Sequence, residues 1–101
     1  MTEVFDCAEP DQRSRGIASA VGAVKNGRLV VLPTDTVYGI GADAFDSAAV
    51  AALLSAKGRG RDMPVPVLVG SWHTIEGLAL AVSQTTRDLI RAFWPGALSL
   101  V

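Results

Sequence analysis

Two spacings alternate along this chain, and their alternation restricts it to one fold class. Ile17, Val21 and Val24 fall at i, i+4 and i+7, which is one face of a helix at about 3.6 residues per turn. Asp11 is placed to cap that helix, which should run through Asn26, and Gly27 stands where a left-handed stop belongs. Leu29-Val30-Val31-Leu32 follows as a continuous apolar run ended by Pro33, the pattern of a strand buried on both faces. The cycle then repeats. Asp46 should cap a second helix to about Ala56, with Val50, Leu53 and Leu54 as its stripe. Val65–Val69 reads as a second buried strand, which Pro66 delays or pushes to an edge because proline has no N–H to donate. Ser71 is placed to cap a short third helix to about Leu80, and Ser83 a fourth ending near Phe93-Trp94. Pro95-Gly96 then turns into Leu98–Val101, which reads as the middle of another buried strand. Such alternation predicts an α/β chain, one twisted mixed sheet with helices packed on it.

Composition narrows the class further. Half of the 101 residues are apolar and 19% are charged, which suits a core-forming protein and excludes disorder. A chain of this length buries roughly 60–65% of its unfolded surface, so one core and one domain over residues 1–101 are expected. Nine Lys and Arg oppose ten Asp and Glu, which excludes a generally basic nucleic-acid binder but leaves room for a local basic patch. Cys7 is the one cysteine and His73 the one histidine, so neither an internal disulfide nor a Cys/His zinc site can form. No apolar run is long enough for a bilayer, and the acidic N-terminus is not a signal peptide; a cytoplasmic protein is expected. Because the chain stops inside a strand-like pattern, it is expected to be part of a longer protein.

Two segments carry residues fit for chemistry. Pro33-Thr34-Asp35-Thr36-Val37-Tyr38-Gly39-Ile40-Gly41 follows the first apolar run, where α/β sheets present ligands, with a short strand around Val37-Tyr38. Its hydroxyls, carboxylate and phenol can hold a small polar substrate; the plainer reading is a turn whose threonines and Asp35 bond local backbone. Lys57-Gly58-Arg59-Gly60-Arg61-Asp62 places three cations on a glycine-containing loop. They can hold a carboxylate or polyphosphate, or they are a solvated helix end favoured by the helix dipole. Gly39-Ile40-Gly41-Ala42-Asp43-Ala44 also fits the dinucleotide fingerprint, but that fingerprint needs its glycines at a strand-to-helix turn, and Asp46 starts the helix too late. His73 reads as a partly buried structural residue beside Trp72, and Cys7 as an inert or surface thiol. Phe93 and Trp94 read as packing aromatics.

The hydroxyl-rich segment, then Lys57-Gly58-Arg59 with Pro64 beyond it, then Phe93-Trp94-Pro95-Gly96-Ala97-Leu98-Ser99-Leu100-Val101, together resemble the YrdC-like family. The resemblance runs from about Ala18 to Val101 and covers the first half of the family's catalytic domain. It implies synthesis of L-threonylcarbamoyl-AMP from L-threonine, bicarbonate or CO2 and ATP, with Mg2+, releasing pyrophosphate. A partner threonylcarbamoyl transferase complex would then modify tRNA. It also implies that Thr34, Thr36 and Tyr38 shape the threonine pocket, that Lys57 and Arg59 act on the reacting anions, and that Pro64 borders the substrate. The family's concave face is basic, so RNA, including double-stranded RNA, is a further expected partner. The chain departs from the pattern at Gly60, Met63, Ala97 and Ser99, and the family's later Ser-x-Asn motif is absent. The competing readings are an RNA-binding module and a regulatory domain without turnover.

Overall fold

The computed structural model describes residues 2–101. Its elements run α1 (Pro10–Lys25), β1 (Val30–Leu32), β2 (Gly39–Gly41), α2 (Ser47–Ala56), a 3-10 turn (Trp72–Thr74), α3 (Ile75–Leu78) and α4 (Gln84–Phe93). They divide into two compact units, one ending at Pro64 and the other beginning at Val65. The α/β class expected from the alternation holds; in the first unit a helix packs beside a small two-stranded antiparallel sheet.

In the first unit α1 begins with Pro10, whose missing N–H lies where a helix has no partner for one. The N-cap position is therefore Glu9, which makes no side-chain bond, and Asp11 sits in the first turn instead of capping. The buried side of α1 is built from small residues. Gly16 is buried because Phe5 lies on it; a Cβ there would stand 2.9 Å from the Phe5 Cβ. Ala20, Ala23 and Val24 are half-buried, while Ile17 and Val21 are 57% and 48% exposed. The expected stripe is thus rotated, since small side chains admit a close neighbour where Ile17 and Val21 would not.

Two glycines end two helices in the same way. Gly27 (φ 73°) follows α1 and Gly58 (φ 66°) follows α2, each in the left-handed region that a Cβ disfavours. After α1, Gly27 N–H donates to the Val24 carbonyl at 3.0 Å and Arg28 N–H to Ala23 at 2.9 Å. After α2, Gly58 donates to Ser55 at 3.0 Å and Arg59 to Leu54 at 2.8 Å. Both are Schellman closures, which satisfy the carbonyls a helix end leaves without partners.

β1 and β2 pair antiparallel, with Val30 opposite Gly41, Val31 opposite Ile40 and Leu32 opposite Gly39. α1 packs against β1. Val31 is nevertheless 71% exposed, so β1 is not buried on both faces. The short strand expected around Val37-Tyr38 forms at Gly39–Gly41, after the polar loop. Asp46 caps α2 as expected, its Oδ1 accepting from the Ala48 and Ala49 amides at 3.0 and 3.1 Å. Ala49, Leu53 and Leu54 are the buried residues of α2, with Val50 half-buried beside them.

In the second unit Ser71 accepts from His73 N–H at 3.3 Å, and Ser83 accepts from Thr86 N–H at 3.1 Å. Both caps stand where expected. The helix after Ser71 is shorter than expected, a 3-10 turn and then α3, ending at Leu78 and leaving Leu80 fully exposed. His73 is exposed and stacks on Trp72 with ring centroids 3.9 Å apart, not partly buried, because so short a helical piece has no inner face to bury it. Ile90 is the buried residue of α4. Trp94 donates its indole N–H to the Leu98 carbonyl at 2.9 Å across Pro95-Gly96, whereas Phe93 is 59% exposed. Val65–Val69 and Leu98–Val101 are irregular, not the strands their apolar runs suggest. A strand exists only where a neighbour takes its backbone bonds; among the described residues neither run has one, and Leu68 is 78% exposed. Among the described residues no helix is long and apolar enough to cross a membrane.

Candidate functional site

The first candidate segment leaves β1 at Leu32 and returns in β2 at Gly39, so residues 33–38 form the connection of a hairpin. Thr34 organises it. Its Oγ1 accepts the amides of Thr36 and Val37, each at 3.2 Å, and donates to the Val37 carbonyl. The Thr34 methyl lies 3.4 Å from where a Gly39 Cβ would stand. Thr36 Oγ1 lies 3.4 Å from Thr34 Oγ1. Val37 and Tyr38 are 73% and 77% exposed, so the phenol projects from the loop. The plainer reading, threonines bonding locally, therefore describes Thr34 and takes in the hydroxyl of Thr36, which is hydrogen-bonded to Thr34 Oγ1; the exposed phenol of Tyr38 projects beyond that network.

The second segment grows from the end of α2. Lys57 is the C-cap residue, Gly58 takes the left-handed turn, and Arg59 closes it through its amide. Lys57 and Arg59 thus flank one fixed glycine, and the backbone of both is held by helix carbonyls while their side chains are exposed. Among the described residues neither joins an ion pair. Two cations without counter-charges beside a helix end are free to receive an anion. Met63 N–H bonds back to Gly60 at 3.2 Å, closing a turn that leaves Pro64 exposed.

Arg61, the one cation of this loop to which the family resemblance gives no role, borders a shallow groove of about 330 Å3 with Ala44, Ser47, Val50, Ala51 and Leu54. No sequence signal pointed to this placement, since it follows from the loop folding back along α2. Gly39 and Gly41 lie within β2, in a hairpin and not at a strand-to-helix turn, so the dinucleotide fingerprint lacks its required context. Cys7 is an exposed free thiol.

Comparison with known proteins bears on this arrangement. A threonylcarbamoyl-AMP synthase of Pyrococcus abyssi is 42% identical over 85 residues, covering 84% of this chain and 25% of that protein. A Mycobacterium tuberculosis (strain H37Rv) protein that carries the same name provisionally is 81% identical over all 101 residues. The chain spans less than half of that relative's length, 46%. The solved structure of a doubly substituted P. abyssi Sua5 superposes with a TM-score of 0.76 at 41% identity, covering 79% of this chain and 24% of that one. The family Sua5/YciO/YrdC, described as telomere recombination, matches residues 22–101, which takes in both candidate loops. With that match and this identity, the chain belongs to the Sua5/YciO/YrdC family.

Proposed function

We propose that this chain is the N-terminal half of a single YrdC-like domain that makes L-threonylcarbamoyl-AMP from L-threonine, bicarbonate or CO2, and ATP. The observation that carries the reading is the 81% identity to the mycobacterial relative along the entire chain. The two loops described above support it, because each presents the side-chain chemistry that one half of the reaction needs.

Threonine's amine adds to CO2, forming the N–C bond and losing a proton to give a carbamate. A carbamate oxygen then attacks the α-phosphorus of ATP. The new P–O bond forms as the bond to the β-phosphate oxygen breaks, and pyrophosphate leaves with that electron pair. Carbamate and triphosphate are both anionic, so the barrier contains their repulsion. Lys57 and Arg59 would offset it and stabilise charge developing on phosphate, Arg59 through paired hydrogen bonds. Thr34, Thr36 and Tyr38 would form the threonine pocket on the hairpin loop, and Pro64 would border the bound substrate. No covalent nucleophile is required; positioning and electrostatics provide the rate. Among the described residues no group of three or more His, Cys, Asp or Glu side chains comes together. Mg2+ would be held chiefly by the triphosphate of ATP and by water, since it binds through one or two carboxylates together with substrate phosphates. The product would pass, in the cytoplasm, to a threonylcarbamoyl transferase complex acting on tRNA, and the exposed cations would also serve RNA contact.

The test is pyrophosphate release from ATP by the full-length protein with bicarbonate and Mg2+. Release that depends on threonine and exceeds release with serine supports the reading. Release indifferent to threonine overturns it.

A further inference from the structure

We infer that Val65–Val69 is one side of an interface whose occupant is a strand from the residues beyond Val101 of the full-length protein, paired along the edge that carries the amides of Val65, Val67 and Val69. The five residues are apolar and uncharged, the composition of a covered strand. Among the described residues none of their backbone groups pairs with another backbone group, and the sheet of β1 and β2 does not include them. Leu68 is 78% exposed and Val67 48%. An uncharged apolar segment with a free backbone edge is a template for pairing, which proteins cover or guard with charge. Pro66 decides which edge is used. In an extended segment the backbone groups of alternate residues point to opposite edges. Val65, Val67 and Val69 therefore share one edge with three amides, whereas Pro66 and Leu68 share the other, which lacks a donor at Pro66. Only the first edge can carry a full ladder. The occupant follows from length. The M. tuberculosis relative matches along this entire chain, yet the chain covers 46% of it, so more than half of that protein lies outside the match. A tethered segment of the same polypeptide acts at an effective concentration of about millimolar, which a second copy must exceed from solution. That such residues follow Val101 rests on the proposed reading of this chain as the first half of a domain; the pairing does not depend on the chemistry.

The experiment uses the full-length protein and two readouts. The first is amide hydrogen exchange in the unsubstituted protein. Val67 and Val69 should exchange at least about 100-fold slower than free peptide, and Leu68 at least about tenfold faster than either neighbour. Free-peptide rates at Val67 and Val69 overturn the pairing, and equal protection of all three overturns the choice of edge. The second readout names the occupant. The photo-crosslinker p-benzoyl-L-phenylalanine replaces Leu68 in one variant and Pro66 in another, because a paired strand places its side chains about 5 Å away. The Pro66 variant carries the test if the Leu68 variant does not fold. The crosslinked peptide should come from beyond Val101. A peptide from residues 2–101, a covalent dimer, or no crosslink in a folded variant overturns the assignment. Pyrophosphate release indifferent to threonine would refute the proposed activity while both readouts still decide the pairing.

Discussion

Replacing Gly27 and Gly58 by alanine, one at a time, separates backbone strain from crowding, because only one of the two sites is crowded. Both have positive φ, 73° and 66°. A residue with a Cβ held there costs about 1–2 kcal/mol, partly offset by the reduced freedom alanine has in the unfolded chain, about 0.4–1 kcal/mol. Gly58 has nothing within 4 Å of its would-be Cβ, so Gly58→Ala should lose about 1 kcal/mol. At Gly27 the new Cβ would stand 2.8 Å from Asp46 Oδ2, closer than atoms tolerate. Asp46 must then move, and its other oxygen holds the first amides of α2 at 3.0 and 3.1 Å. Losing that cap costs typically about 1 kcal/mol, so Gly27→Ala should lose about 2 kcal/mol. Urea unfolding followed by far-UV circular dichroism measures both losses, provided the slope with denaturant is common to the variants. In an Asp46→Ala background the loss from Gly27→Ala should fall to about 1 kcal/mol, since no cap remains to displace. Equal losses at the two glycines, or an undiminished loss in that background, would refute the coupling between the end of α1 and the start of α2.

Three further outcomes are expected. Lys57→Ala and Arg59→Ala should each lower threonine-dependent turnover of the full-length protein at least about tenfold, each losing a charge-assisted contact; full turnover in both would remove their assignment. Trp94→Phe should cost about 1 kcal/mol in urea unfolding, because the Leu98 carbonyl loses the indole donor now at 2.9 Å. Arg87→Ala should shift stability by less than about 0.5 kcal/mol, since its 3.9 Å pairing with Glu76 is solvent-exposed and screened; a larger loss would show that the pair is more than a surface contact.

The parts of the molecule legible in the sequence are those decided within a few residues. Asp46, Ser71 and Ser83 cap the helices they were expected to cap, because an N-cap side chain bonds amides two or three positions ahead and needs nothing remote. Gly27 ends α1 for the same local reason. The two candidate loops were legible as residue types in order, which also carried the family. Burial was legible on α2, where Leu53 and Leu54 are buried and Val50 half-buried as expected, but not on α1. The α1 stripe turned out to be Gly16, Ala20, Ala23 and Val24, because Phe5 settles on a glycine and that approach depends on a segment outside the helix. Val65–Val69 and Leu98–Val101 have strand composition without strand structure, since a ladder requires a second chain segment at hydrogen-bonding distance. Local bonding is written in neighbouring residues; strand pairing and close approach depend on what the folded chain brings beside them.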